Sequence, residues 1–206
     1  IMPSLVGSEM CIRDRNTTTT DHQYRFGMPG EFIQEEEWKS CLTYIENITD
    51  NIPQYLIASG SLPEGIPNDF YAKLATICKN KGIRLVLDTT EEALMEALKV
   101  GVYLIKPNIH ELSDLVGKSH KYITHDLQES LAKELIEKGM CEVVVASLGE
   151  KGAMLVADNV VEYVTPPTIH AKSTVGAGDS MVGGMVLALT KGWDLEEVLK
   201  YGVCLL

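Results

Sequence analysis

Arginine is scarce in this chain: only four occur in 206 residues, at positions 13, 15, 25 and 84, and the formal net charge is −11. Nucleic-acid backbones are held by clustered Lys and Arg, so an acidic chain without a basic stripe is not expected to bind them. No run approaches the ~20 apolar residues of a membrane helix, so no membrane partner is expected. The five cysteines, at 11, 41, 78, 141 and 204, are scattered, odd in number and without a C-x-x-C pair. That pattern disfavours a disulfide framework or a zinc site and predicts reduced thiols in a cytoplasmic setting. No H-E-x-x-H and no G-x-x-x-x-G-K-[ST] occurs. Gly60-Ser61-Leu62-Pro63-Glu64-Gly65 has the outer glycines of such a loop, but Ile66-Pro67 stand where the lysine and hydroxyl would be. The length is enough for one substantial core, and one domain is the default.

The most informative run present is Ser173-Thr174-Val175-Gly176-Ala177-Gly178-Asp179-Ser180, followed by an apolar stretch with Met181, Val182, Met185 and Val186. It reads as a tight turn opening a helix. The first turn of a helix offers N–H groups without intrahelical partners and the positive end of the dipole, which suits phosphate. Gly176 and Gly178 lack the third glycine of a dinucleotide fingerprint, since Met181 stands there. A carboxylate at Asp179 would repel a merely bound anion. It makes sense if it takes a proton from a hydroxyl that attacks phosphorus. The plain alternative is an ordinary helix start with an acidic first turn, and the run alone does not choose between them.

Apolar periodicity predicts helices over 34–48, 68–80, 90–99, 109–116, 126–138 and 178–189, and another opened by Asp194 with Glu197 three residues on. Asp126 with Glu129 has the same capping spacing. Gly82 marks the end of the second helix. Strands are predicted over 17–26, 55–58, 83–87, 102–105 and 143–146, with a hairpin of 153–156 and 160–164 around Asp158-Asn159. Alternating strands and helices imply an α/β fold, a mostly parallel sheet covered on both faces. Ser59-Gly60-Ser61, Lys106-Pro107-Asn108 and Ser147-Leu148-Gly149 each follow a strand, and ligands of open α/β sheets bind beyond the carboxyl ends of strands.

Five segments, in order, carry a family resemblance: Tyr24-Arg25-Phe26-Gly27-Met28-Pro29-Gly30, Ser59-Gly60-Ser61-Leu62-Pro63-Glu64-Gly65, Lys106-Pro107-Asn108-Ile109-His110-Glu111-Leu112, Ser147-Leu148-Gly149-Glu150-Lys151-Gly152-Ala153, and the run from Thr174 to Asp179. With them the chain resembles the ribokinase-like carbohydrate kinases of the PfkB family, on their phosphofructokinase side, from about residue 16 to 203. The resemblance implies a ribokinase-like three-layer α/β/α sandwich and ATP-dependent phosphorylation of a sugar phosphate, with fructose 6-phosphate as the acceptor. Fructose 1-phosphate and tagatose 6-phosphate are the alternatives within that class. A nucleotide-binding fragment without catalysis is the alternative of another class.

By the same resemblance Asp179 is the catalytic base, and Gly176, Ala177 and Gly178 supply the amides that hold the transferring phosphoryl group. Lys106, Asn108, Ser147, Gly149, Gly152 and Thr174 lie at the nucleotide. Ser61 lies at the sugar. Asn108 and Glu111, one helical turn apart, act on magnesium through water. Ser173 and Val175 fall where some relatives take a monovalent cation. A full-length relative is expected to be a homodimer.

Several features depart from the family pattern. Residues 1–15 match no segment and are expected to be a non-native leader, with the kinase core over 16–206. The first sheet strand with its sugar-binding aspartate and most of the lid are missing from the pattern, and relatives continue past Val203. The 206-residue chain is therefore expected to be weakly active or inactive by itself. Arg25 is expected to be structural.

Overall fold

The structure is a computed structural model that describes residues 30–115, 124–166 and 176–205. The strand expected over 17–26, the leader 1–15, Arg25, Ser173, Thr174 and Val175 lie outside the described residues. Along the chain come α1 (Glu35–Glu46), β1 (Tyr55–Ser59), α2 (Phe70–Lys81), β2 (Arg84–Asp88), α3 (Glu91–Val100), β3 (Val102–Ile105), α4 (Ile109–Leu115) and α5 (His125–Glu137). They are followed by β4 (Cys141–Ser147), β5 (Ala153–Ala157), β6 (Val160–Val164), α6 (Ala177–Thr190) and α7 (Leu195–Cys204).

The strands form one sheet in sequence order, β1-β2-β3-β4-β5-β6. The first four are parallel, and β5 and β6 return as an antiparallel hairpin. Crossovers between parallel neighbours are right-handed, so strands laid down in sequential order place their connecting helices on the same face. Side-chain alternation shows the consequence. Leu85, Leu87, Ile105, Val144 and Ala146 pack in one core with α1, α2, α3 and α5, whereas Val86, Leu104, Val143 and Val145 pack in another with α6 and α7. The sheet is therefore the middle of three layers. Its central strands are buried on both faces, which explains their unbroken apolar runs. Each large side chain buried there contributes roughly 1.5–3 kcal/mol of transfer free energy.

Local signals mostly agree with the expectations. Gly82 ends α2 in the left-handed conformation, φ 69°. The Asp194 side chain accepts from the Glu197 amide at 2.9 Å. The start of α5 is a correction. Thr124, not Asp126, is the cap: its hydroxyl accepts from the Leu127 amide at 3.3 Å, and the helix begins at His125. Thr124 has the extended backbone an N-cap needs, and its oxygen reaches the third helical amide, which leaves Asp126 inside the first turn.

Candidate active site

Parallel pairing brings the ends of the strands to one rim. Ser59 pairs with Asp88 across β1 and β2. Lys106 follows β3, its amide donating to the Leu87 carbonyl at 3.4 Å. Beyond the ladder, Asn108 bridges Ser147 in parallel, and the Ser147 amide donates to the Pro107 carbonyl at 3.0 Å. The Lys106-Pro107-Asn108 and Ser147-Leu148-Gly149 turns, 41 positions apart in sequence (147 less 106), thus lie side by side.

The amino end of α6 points into this rim. Its first intrahelical bond runs from the Ser180 amide to the Gly176 carbonyl at 2.8 Å, so the amides of Ala177, Gly178 and Asp179 precede the ladder. The Ser59 hydroxyl donates to Asp179 Oδ1 at 3.2 Å, across 120 positions of sequence. Lys106 Nζ lies 3.2 Å from Asp88 Oδ2, the two side chains being only 10% and 21% exposed. A Cβ placed on Gly178 would stand 3.4 Å from Lys106 Nζ, so the ammonium packs against the first turn of α6. A cation at the positive end of a helix dipole is unfavourable without an anion nearby. Asp88 and Asp179 supply negative charge here, and a phosphoryl group would supply more.

Burial pushes the Asp88 carboxyl above its ordinary value, Lys106 pulls it back by charge and hydrogen bonding, and Asp179 raises it by repulsion. The folded pKa is above the unfolded one. Between the two values the native state binds more protons, so this group's contribution falls as pH rises through that window. Asp88→Asn is expected to flatten the fall in melting temperature from about pH 4 upward, where an unperturbed Asp ionises. Parallel wild-type and variant melting curves across that range would refute it.

The remaining candidates divide. Asn108 and Glu111 engage each other's backbone: Glu111 Oε2 accepts from the Asn108 amide at 2.7 Å, and Asn108 Oδ1 accepts from the Glu111 amide at 3.0 Å. Their spacing builds a reciprocal cap on α4 and sets both side chains at the rim. Gly149 opens a short 3-10 turn, Gly149–Lys151. Gly152 has φ 94°, and a Cβ there would come within 1.9 Å of the Val164 carbonyl oxygen. Backbone packing at the end of β6 therefore explains why it is glycine. Ser61 is exposed in the turn after β1. Among the described residues no group of three or more His, Cys, Asp or Glu side chains is placed to hold a metal ion, and no helix is long and apolar enough to cross a membrane.

Sequence reasoning gave Ser59 no role beyond its place at a strand end and did not single out Asp88 as a site residue. The signal was available, since both are polar residues closing apolar strands, but only the fold shows that they meet Lys106 and Asp179. Other concave surfaces lie along α1, beside Lys39 and Tyr44, and at the amino ends of the strands, beside Arg84 and Gly139. The rim is distinguished from them by its charge constellation.

An α/β sheet whose rim brings an acid and a lysine to a helix amino end has the features that suit an anionic ligand. The model of the pfkB family carbohydrate kinases matches residues 17–205, and the chain belongs to that family. It is 39% identical over 182 residues to the ATP-dependent 6-phosphofructokinase isozyme 2 of Escherichia coli, covering 88% of this chain and 58% of that protein. It is 34% identical over 176 residues to the 1-phosphofructokinase of Bacillus subtilis, covering 84% and 56%. Among solved structures, the phosphofructokinase-2 of Escherichia coli in complex with fructose-6-phosphate superposes with a TM-score of 0.81 at 38% identity, covering 88% of this chain and 58% of that one. The chain thus spans somewhat over half the length of the curated relatives it matches.

Proposed function

We propose that this chain carries the phosphoryl-transfer site of an ATP-dependent sugar-phosphate kinase, with fructose 6-phosphate as the acceptor through its 1-hydroxyl. The observation that carries the reading is Asp179 on the first turn of α6, bonded to Ser59 and beside the Lys106–Asp88 pair. The Asp179 carboxylate takes the proton of the attacking hydroxyl as the new O–P bond forms. The bond from the γ-phosphorus to its bridging oxygen breaks, and ADP departs. The amides of the Gly176-Ala177-Gly178 turn and the Lys106 ammonium stabilise the equatorial oxygens, each well-placed donor contributing about 2.7–4 kcal/mol. Ser147, Gly149, Gly152 and Thr174 are proposed at the nucleotide side, and Ser61 at the sugar.

Magnesium, when bound, would neutralise phosphate charge. The rim's oxygen donors suit a hard cation that keeps much of its water, and Asn108 and Glu111 would reach it through water. The relatives split between 6-phosphofructokinase and 1-phosphofructokinase, so fructose 1-phosphate is the competing acceptor, with tagatose 6-phosphate beside it.

The test is coupled ADP release with magnesium, ATP and each of the three sugar phosphates. Fructose 6-phosphate is expected to give the highest kcat/KM. The 206-residue chain is expected to stay below the ordinary range of about 1–10³ s⁻¹, and a longer form containing it to fall within that range. Equal rates with and without sugar phosphate in both forms would overturn the reading.

A further inference from the structure

The Gly60 carbonyl receives two side-chain donors from two different elements. The Tyr71 hydroxyl of α2 donates to it at 2.9 Å, and the Thr89 hydroxyl, just after β2, donates at 2.9 Å. The Gly60 amide in turn donates to the Asp88 carbonyl at 2.9 Å. Tyr71 and Thr89 are 6% and 4% exposed. Burial pushes the Tyr71 phenol above its ordinary value and keeps it protonated as a donor. A carbonyl oxygen has two lone pairs, and here both are engaged by buried hydroxyls. An apolar pair of the same shape would fill the space but would leave the Gly60 carbonyl without these two donors. The bonded glycine is the pivot of the rim's first turn. On one side of it Ser59 reaches Asp179, and on the other Ser61 stands exposed.

We propose that Tyr71 and Thr89 are positioning residues for the Ser59-Gly60-Ser61 turn. By fixing the Gly60 peptide plane they aim Ser59 at the catalytic base Asp179 and Ser61 at the sugar phosphate, and they leave the nucleotide side untouched. The inference rests on the kinase reading above. Tyr71 lies behind the turn, edge-on to Phe70 with ring centroids 5.5 Å apart, and Thr89 lies beneath it.

The test uses Tyr71→Phe, which keeps the ring and its packing, Thr89→Val, which keeps the shape, and Thr89→Ser, which keeps the hydroxyl. Each is measured in the 206-residue chain and in any longer form containing it. Hydrogen exchange over residues 59–62 is expected to quicken about 5-fold in Tyr71→Phe and Thr89→Val, the equivalent of one net hydrogen bond. The KM for fructose 6-phosphate is expected to rise by a similar factor with the KM for ATP unchanged, while Thr89→Ser behaves as wild type. The double variant should fall short of the product of the singles, because both donors serve one oxygen.

Unchanged exchange at 59–62, or sugar-phosphate and ATP KM values that move together, would overturn the proposal. If Tyr71→Phe does not fold, the Thr89 pair decides. Absence of wild-type turnover with every sugar phosphate in the longer form would instead count against the kinase reading itself.

Discussion

In a longer, active form containing this chain, Asp179→Asn is expected to lower turnover by roughly 10²–10⁴-fold, the range a positioned general base supplies, while ATP affinity stays within a few-fold. Asparagine is nearly isosteric with aspartate. Its side-chain oxygen can still accept from the Ser59 hydroxyl, now 3.2 Å from Asp179 Oδ1, so the first turn of α6 should keep its shape. It cannot take a proton from the acceptor hydroxyl. The amides of Ala177 and Gly178 and the Lys106 ammonium are unchanged, so the means of holding phosphate survive. Removing a negative charge from an anion site, if anything, tightens nucleotide binding. The experiment pairs ADP-release kinetics with calorimetric ATP titration. A near-normal kcat would refute the base assignment, and a parallel collapse of ATP affinity would show that Asp179 maintains the site's structure.

Among the described glycines, Gly152→Ala is expected to be one of the two most damaging single-methyl changes, beside Gly65→Ala, whose Cβ would meet the Ile33 carbonyl oxygen at 2.1 Å. At φ 94° an L side chain is strained, by about 1–3 kcal/mol. The added Cβ would also overlap the Val164 carbonyl oxygen at 1.9 Å and the Pro166 ring at 2.8 Å. A backbone atom cannot rotate away as a flexible side chain can, so the end of β6 must move from β5, where Ala153 pairs with Val164. A loss above about 3 kcal/mol corresponds to a drop in melting temperature of roughly 6–12 °C for a domain of this size. Gly149→Ala is the control: its φ is also positive, at 63°, but a Cβ there meets nothing within 4 Å. Equal melting temperatures for wild type and Gly152→Ala would show that the hairpin end is more pliable than its geometry implies. If Gly152 acts only through the nucleotide, the variant should lose ATP binding at an unchanged melting temperature.

Much of the architecture was legible residue by residue. The strand over 102–105 has the bounds its sequence predicts, a continuous apolar run between Gly101 and Lys106-Pro107. The helix opened by Asp194 and the hairpin around Asp158-Asn159 were equally local in origin. The start of α5 differs from expectation because Asp126 with Glu129 carries the same capping chemistry that Thr124 fulfils. Boundaries of this kind depend on which of two adjacent oxygens reaches an amide, a matter of backbone angles that the sequence does not state. Asn108 and Glu111 stand one helical turn apart, and the structure adds a reciprocal bonding to the helix backbone that the spacing alone does not state.

The sequence by itself determined the alternation of strands and helices, the polar turns at the strand ends, and an acid on a glycine-bracketed helix start. Each of these is a local pattern of side-chain polarity and backbone permissiveness. The tertiary structure alone decided that Asp88 holds Lys106 against Gly178, that Ser59 meets Asp179, and that Tyr71 and Thr89 share the carbonyl of Gly60. These contacts join residues far apart in the chain, and they arise because parallel register aligns the ends of β1 and β2 while the second helical layer brings α6 across them. Such convergence depends on the relative placement of whole elements, which no run of neighbouring residues encodes.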